Sequence, residues 1–309
     1  HHLMSSTDHP PTSTASNSIP TSTSHTTSST IILDTGTHSI KAGYSSVLTP
    51  QIIIPPYFND DLKGNDVNKF LKRNNGTQQQ PQNFELPLNE NGYVTSWDKM
   101  TELWKYALEK DMKISDFSDK NILITEPVLA PKPHREKLVK FAFENLGVKN
   151  CHVANQAVMD IYAAGRISGV VMDVGHKTTK FVPILEGFPL QYASDRVSIA
   201  GRNVTLHLQD ALIKRYPDKA PHLNEYIVEK IKEELAYAYC STWHQGKQAE
   251  KSYQLPDNTT IALDDSLRKG SLEVLFSPNT VDPARYETYG ICAHLTRVVG
   301  ACEFSIRKD

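Results

Sequence analysis

Two short segments of the chain carry the same pattern of residues suited to holding a phosphate group. Residues 34–41 read DTGTHSIK and residues 173–180 read DVGHKTTK. Each segment follows an apolar run, and Asp, Gly, a hydroxyl residue and Lys recur at identical spacing in both. A single Asp-x-Gly is common by chance, but two in matching context, one in each half of the chain, indicate a duplicated unit.

The chemistry of this pattern follows from the turn at its centre. A Gly-bearing hairpin exposes backbone N–H groups and lets the chain approach an anion closely. Thr37 adds a hydroxyl donor, and Lys41 adds a positive charge for phosphate. The carboxylates of Asp34 and Asp173 would hold Mg²⁺ through its water shell. Two such hairpins facing one another would clamp a polyphosphate, although ordinary β-turns explain the hairpins alone equally well.

Paired Asp-x-Gly segments are also typical of pepsin-like proteases, in which two aspartates share a proton. That fold is almost wholly β, whereas helical periodicity fills much of residues 97–165 here. His176 also stands where such a protease would carry Ser or Thr. The protease interpretation is therefore set aside.

The elements that must position these residues alternate between strands and helices. Apolar runs and turn signals predict strands at 31–33, 39–44, 52–54, 122–124, 170–173 and 179–184, and helices at 97–110, 134–146 and 155–165. This alternation predicts an α/β layer architecture.

Two segments have a composition that differs from the rest. Residues 1–30 are rich in Ser and Thr and predict a disordered tail, in which residues 1–3 before Met4 are interpreted as a tag or read-through remnant. Residues 57–88 are polar and predict an exposed excursion from the first lobe.

The overall composition is that of a globular protein with a real core. Apolar residues make up 39% of the chain, and the formal net charge of -2 gives no general attraction to nucleic acid. No apolar run approaches the roughly 20 residues of a membrane span, so we expect no membrane partner. The four cysteines have no zinc or redox spacing, which predicts reduced thiols.

Further segments, in order along the chain from residue 31 to the last residue, resemble the actin family. They are 125–132 (TEPVLAPK), 134–137 (HREK), 155–158 (NQAV), 162–166 (YAAGR), 182–187 (VPILEG), 200–202 (AGR), 231–235 (IKEEL), 252–257 (SYQLPD) and 306–309 (IRKD). Hexokinases and chaperone ATPases share the hairpins but not these segments, and no sugar pocket or carboxylate base of a sugar kinase is recognisable.

The resemblance implies a duplicated, RNase H-like α/β fold with two lobes around a nucleotide cleft. The first lobe would span 31–163, and the second would span 164–309 with an inserted subdomain at about 200–286. The family continues beyond the equivalent of Asp309 into a loop that closes over the nucleotide, so the second lobe is expected to be incomplete at its C-terminus.

The resemblance also assigns roles to individual residues around ATP or ADP with Mg²⁺. Gln156 would position the attacking water, and the two aspartates would hold the metal through water. The residues implied to contact the nucleotide are Asp34, Gly36, Thr37, Lys41, Asp173, Gly175, His176, Lys177, Lys232 and Glu233.

Several positions depart from the family pattern. His38 stands in place of a second glycine, His176 in place of an acidic residue and Lys177 in place of a glycine. Lys180 replaces a histidine near the water site, and Glu229 replaces a basic residue near the adenine. Because hydrolysis needs metal, water and orientation together, we expect weak or absent turnover.

The expected function is that of an actin-related scaffold or complex subunit whose partners are other actin-family or complex subunits. The alternative is an active, polymerising actin-like ATPase of the cytoskeleton. Either function implies a cytoplasmic, cytoskeletal location, with the nucleus as an alternative.

Overall fold

The computed structural model describes residues 29–58, 85–240, 246 and 248–307. The predicted tail falls outside these residues except for its last two, and so does the predicted excursion apart from its two ends. At those ends Phe58 pairs with Glu85, and Leu88 pairs with Val94, in isolated antiparallel bridges.

The described strands form a mixed sheet, a second antiparallel sheet and a separate hairpin. They are β1 (Ile31–Thr35), β2 (Ile40–Tyr44), β3 (Ile52–Ile54), β4 (Asn121–Glu126), β5 (Asn150–Asn155), β6 (Gly169–Val174), β7 (Thr179–Leu185), β8 (Phe188–Pro189), β9 (Asp195–Val197), β10 (Lys251–Gln254) and β11 (Thr260–Leu263).

Helices follow and separate these strands. They are α1 (Trp97–Lys105), α2 (Lys132–Lys140), α3 (Gln156–Ala163), α4 (Gly201–Arg215), α5 (Glu225–Leu235), α6 (Asp265–Gly270), α7 (Glu273–Phe276), α8 (Pro278–Val281) and α9 (Ile291–Ala301). The α/β prediction is confirmed. The predicted helices at 97–110 and 134–146 are α-helical only in their first parts and continue as π-helical turns at Tyr106–Asp111 and Phe141–Leu146.

The first sheet has the strand order β3-β2-β1-β4-β5. Strands β1, β2 and β3 pair antiparallel, whereas β1, β4 and β5 run parallel. Strand β5 was not predicted from the sequence, because its sequence NCHVAN has little apolar character and its pairing depends on the neighbouring strand β4. Parallel strands end at one edge of a sheet, and this edge positions the residues described below.

The second sheet is built around β7, which pairs antiparallel with β6 on one side and with β8 and β9 on the other. Helix α3 packs its apolar face against this sheet, since Ala157 and Ile161 share a buried cluster with Val182 and Ile184. The residues just before the second repeated segment are therefore held by both a strand pair and a helix.

Four hydrophobic clusters stabilise these elements. The largest lies around the first sheet and includes Ile31, Leu33, Met100, Trp104 and Phe141, all almost fully buried. A cluster of α4, α5 and β10–β11 contains Leu208, Leu212, Ile231 and Leu263. None of the helices in the described part of the chain is both long and apolar enough to cross a membrane.

Candidate functional site

Three polar side chains meet where the parallel strands of the first sheet end. Asp34 lies near the end of β1, Thr125 near the end of β4, and Gln156 begins α3 directly after β5. Asp34 Oδ1 accepts a hydrogen bond from Thr125 Oγ1 at 2.5 Å and one from Gln156 Nε2 at 3.1 Å. Asn155 caps α3 by accepting a bond from the Ala157 N–H, which fixes the start of the helix that carries Gln156.

The two repeated segments form hairpins with the same register. Asp34 is paired with Lys41 across β1 and β2, and Asp173 is paired with Lys180 across β6 and β7. Equal sequence spacing has therefore become equal backbone geometry, with an acid and a lysine facing each other beside each turn.

The hairpin glycines serve the turns themselves. The Gly36 N–H donates to the Ser39 carbonyl at 3.0 Å, and the Gly175 N–H donates to the Thr178 carbonyl at 3.1 Å. A Cβ at Gly175 would lie 3.0 Å from that carbonyl oxygen, and one at Gly36 would lie 3.3 Å from the corresponding oxygen. The expectation that the hairpins expose backbone donors is thus corrected for these two N–H groups, which are already bonded within the turns.

Helix α4 secures the second turn from outside. The N–H groups of Gly201 and Arg202, at the start of α4, donate to the carbonyls of Gly175 and His176 at 2.9 and 2.8 Å. These bonds satisfy two of the free N–H groups that every helix carries at its N-terminus.

Lys180 links the two halves of the site. Its Nζ lies 2.9 Å from Gln156 Oε1 and 3.3 Å from Asp173 Oδ2, and its side chain is only 12% exposed. In the first hairpin, Lys41 Nζ lies 3.7 Å from Asp34 Oδ2 and is more exposed. An ammonium group therefore contacts both the glutamine and the second aspartate.

Asp160 belongs to the same group and was not predicted from the sequence. Partial burial raises the pKa of its carboxyl, and the negative charges of Asp173 and Asp34 raise it further, while Lys180 opposes them. Asp160 lies four residues after Gln156 on α3, a spacing that places both on one face of the helix and could have indicated it.

One further residue of each turn contacts the chain before α1. Lys177 Nζ donates to Glu90 Oε1 at 3.0 Å and so connects this turn to the chain before α1. Thr37 lies beside Gly92, with its methyl group 3.8 Å from where a Cβ on that glycine would be. The role of Lys177 in binding a nucleotide stays a prediction.

His38 and His176, one from each turn, lie against each other beside Glu229 of α5. Their ring centroids are 4.9 Å apart, and the Glu229 Oε1 atom is 3.7 Å from His38 Nδ1 and 3.6 Å from His176 Nδ1. Burial, together with the positive charges of His38 and Lys232, lowers the pKa of His176 to about 4. His176 is therefore neutral at physiological pH.

Lys232 lies beside this cluster, and Glu233 does not. Lys232 Nζ donates to Thr205 Oγ1 at 2.9 Å and to the Gly201 carbonyl at 3.3 Å, and it is 3.6 Å from Glu229 Oε1. Glu233 is exposed and pairs with Lys230 at 3.3 Å. Of the two residues predicted beside the adenosine, only Lys232 thus joins the residues around the hairpins.

The sequence matches one protein family over nearly its whole length. Residues 25–309 match the family described as Actin, and this range contains both hairpins and all the helices described above. The mixed α/β fold agrees with that match. The chain belongs to the actin family.

Proposed function

We propose that this protein binds ATP or ADP between the two hairpins, hydrolyses it weakly or not at all, and works as a scaffold or subunit together with other actin-family or complex subunits. Domains of this family generally bind ATP or ADP with a divalent metal ion. In this proposal the two sheets are the cores of two lobes, and the hairpins face the nucleotide cleft between them.

The residues around the hairpins suit a polyphosphate. Both turns have a glycine at the position where a Cβ would approach a carbonyl oxygen of the same turn closely, so glycine allows each turn to be tight. Lys41 is partly exposed, and its ammonium stands 3.7 Å from Asp34, which is too far for a hydrogen bond. Asp34, Gly36, Thr37 and Lys41 would hold phosphate from one side, and Gly175 with the second turn from the other.

The position of Lys180 carries the proposal of weak hydrolysis. Gln156 would orient the attacking water, but its Oε1 accepts a hydrogen bond from the Lys180 ammonium. Hydrolysis in nucleotide-dependent enzymes depends on a correctly oriented water, and Lys180 takes one of the two acceptor positions of the Gln156 carbonyl oxygen. The lysine therefore competes with the water for the residue that would position it.

The same lysine weakens the proposed metal site. A bound Mg²⁺ would neutralise charge on the phosphates, with Asp34 and Asp173 holding its waters. Lys180 Nζ already lies 3.3 Å from Asp173 Oδ2, so a second cation at that carboxylate would be repelled. We therefore propose that nucleotide binding depends less on Mg²⁺ than it would with two unpaired aspartates.

Calorimetric titration of the protein with ATP, with and without Mg²⁺, together with a phosphate-release assay, tests the proposal. We expect saturable binding that Lys41→Ala weakens about tenfold, the cost of one charge-assisted hydrogen bond of roughly 1.4 kcal/mol. Lys105→Ala, which removes a partly exposed lysine of α1, is the matched control. Rapid, Mg²⁺-dependent phosphate release by the unchanged protein would contradict the proposal.

The second candidate is a polymerising ATPase of the cytoskeleton, favoured by the retained Asp34, Lys41, Asp173 and Gln156. Sedimentation with and without ATP separates the two candidates. ATP-dependent pelleting coupled to phosphate release would favour the polymerising ATPase. A cytoplasmic, cytoskeletal location is proposed for both, with the nucleus as the alternative.

A further inference from the structure

We propose that His38, His176 and Glu229 form a binding site for a divalent transition metal ion, with Zn²⁺ as the ion that it fits best. One ligand atom from each of the three residues lies within 4.8 Å of the other two. Among the residues that the structure describes, these three are the one group of His, Cys, Asp or Glu side chains that meets this distance condition.

The distances match shared coordination better than direct ion pairs. Glu229 Oε1 is 3.7 Å from His38 Nδ1 and 3.6 Å from His176 Nδ1, both too long for a hydrogen bond. Two ligands of a tetrahedral zinc ion are separated by about 3.3 Å, given metal–ligand distances of about 2.0–2.1 Å. Two edges of the site thus lie within a few tenths of an ångström of that geometry, and the third edge, between the two imidazoles, is at most 4.8 Å.

The ligand types select the metal. Imidazole nitrogens suit zinc, copper, nickel and iron, whereas Mg²⁺ and Ca²⁺ prefer oxygen ligands. Two histidines and one glutamate are a ligand set found in zinc sites, where a fourth position is left to a non-protein ligand. The set therefore differs in kind from Asp34 and Asp173, and it does not require a bound nucleotide.

Three separate elements supply the ligands, and the three side chains differ in how strongly their surroundings restrict them. His176 and Glu229 are each 14% exposed, on a turn held by α4 and on the helix α5, whereas His38 is 52% exposed on its turn. Two ligands are thus preorganised, and the exposed His38 can complete the set. A bound ion would connect the β1–β2 hairpin to the β6–β7 hairpin and to α5.

Lys232 is the group that opposes a cation here. Its Nζ lies 3.6 Å from the same Glu229 oxygen. Hydrogen bonds to Thr205 Oγ1 and the Gly201 carbonyl hold the ammonium without help from Glu229. The carboxylate can therefore turn to a metal ion while Lys232 keeps its two partners, although the nearby charge lowers the affinity.

Titration of the full chain with Zn²⁺ by calorimetry, and with Co²⁺ by visible absorption, tests the site in the absence of nucleotide. We expect one ion per chain, with visible Co²⁺ bands but no near-ultraviolet thiolate band, since no cysteine is a ligand. Changing an outer contact of a metal site costs 10–100-fold in affinity, so loss of a ligand in His38→Asn is expected to cost at least ~100-fold. Circular dichroism would verify that this variant, changed at an exposed turn residue, remains folded.

Two controls separate this site from other histidines. His222→Asn removes a histidine that faces Asp257 at 3.3 Å in a two-residue pair, and it should leave the affinity unchanged. Replacing His1 and His2 by alanine removes the adjacent terminal histidines and should also leave one ion bound. Glu229→Gln should weaken binding with the same stoichiometry. Undiminished binding by His38→Asn and Glu229→Gln, a thiolate band, or no binding by the full chain would overturn the proposal.

Discussion

Lys180 is the residue that most changes the charge beside the hairpins, because its ammonium group lies among their acidic side chains. It contacts Gln156 and Asp173 and also opposes the raised pKa of Asp160. Without Lys180, the carboxylates of Asp34, Asp160 and Asp173 would face one another. Lys41 would then balance the charge of Asp34 alone. Lys180 thus supplies inside the protein part of the positive charge that a divalent metal would bring.

We predict that Lys180→His raises Mg²⁺-dependent phosphate release about tenfold, equivalent to roughly 1.4 kcal/mol of activation free energy. A neutral imidazole would release Gln156 Oε1 for water and Asp173 for the hydration shell of the metal. Single-turnover phosphate release with saturating ATP measures the effect. Lys110→His, at an exposed lysine beyond α1, is the control. An unchanged rate in Lys180→His that still binds ATP would show that the lysine does not limit turnover.

Among the elements, α2 is attached to the chain before α1 through one buried histidine. The Val94 N–H donates to His134 Nε2 at 3.3 Å, and Trp97 packs edge-on against the imidazole with ring centroids 5.1 Å apart. Nδ1 then carries the proton and has no hydrogen-bond partner among the described residues. Protonation of Nε2 would break the bond to Val94 and place a charge in an apolar contact.

The pH dependence of stability follows from this histidine. Burial lowers the pKa of His134, Lys137 lowers it further, and Glu126 opposes both. Below the ordinary histidine pKa of about 6.5 the unfolded chain therefore binds more protons than the folded one. The stabilisation is present above about pH 6.5 and is lost as the pH falls, with a slope of at most about 1.4 kcal/mol per pH unit.

Urea unfolding between pH 7.5 and pH 5 of the protein and of His134→Gln measures this contribution. Glutamine can accept the bond from Val94 but does not titrate, so we expect its stability to fall less steeply with pH. His152→Gln, at an exposed histidine of β5, is the matched control and should keep the original slope. Equal slopes for the protein and His134→Gln would exclude His134 as the cause.

At the scale of the whole molecule, polar contacts between the first sheet region and the second add to the apolar packing of α3 on the second sheet. Lys180 reaches Gln156, Lys177 reaches Glu90, and the Arg196 guanidinium donates to the Tyr93 hydroxyl at 2.5 Å. Partly exposed polar contacts of this kind contribute roughly 0–1 kcal/mol each. A ligand held by both hairpins would therefore add to the free energy that keeps them together.

We predict that ATP at 100 times its dissociation constant stabilises the protein by about 2.7 kcal/mol and raises its melting temperature by several degrees. Thermal unfolding followed by circular dichroism measures the shift. At the same ATP concentration, Lys41→Ala should show a smaller shift because it binds the nucleotide more weakly. A shift of equal size in both proteins would place the bound nucleotide away from the first hairpin.

The sequence by itself determined the two hairpins, their equal register and the α/β class. These features depend on local causes: an Asp-x-Gly turn, apolar runs that become buried strands, and helical periodicity in α1 and α2. It also indicated Gln156 and Lys180 as neighbours of the proposed water site. By contrast, β5 was missed because its polar sequence gives no strand signal and only the ladder with β4 makes it a strand.

Only the tertiary structure decided which distant residues meet. His38, His176 and Glu229 are each a separate departure from the actin pattern in the sequence, on two turns and a helix. The two turns lie against each other and α5 packs beside them, which brings the three side chains within 4.8 Å of one another. Likewise, the contact of Lys177 with Glu90 and the exposure of Glu233 depend on how the elements pack. Spacing along the chain specifies turns and strands, whereas contacts between elements arise from the burial of their apolar faces against one another.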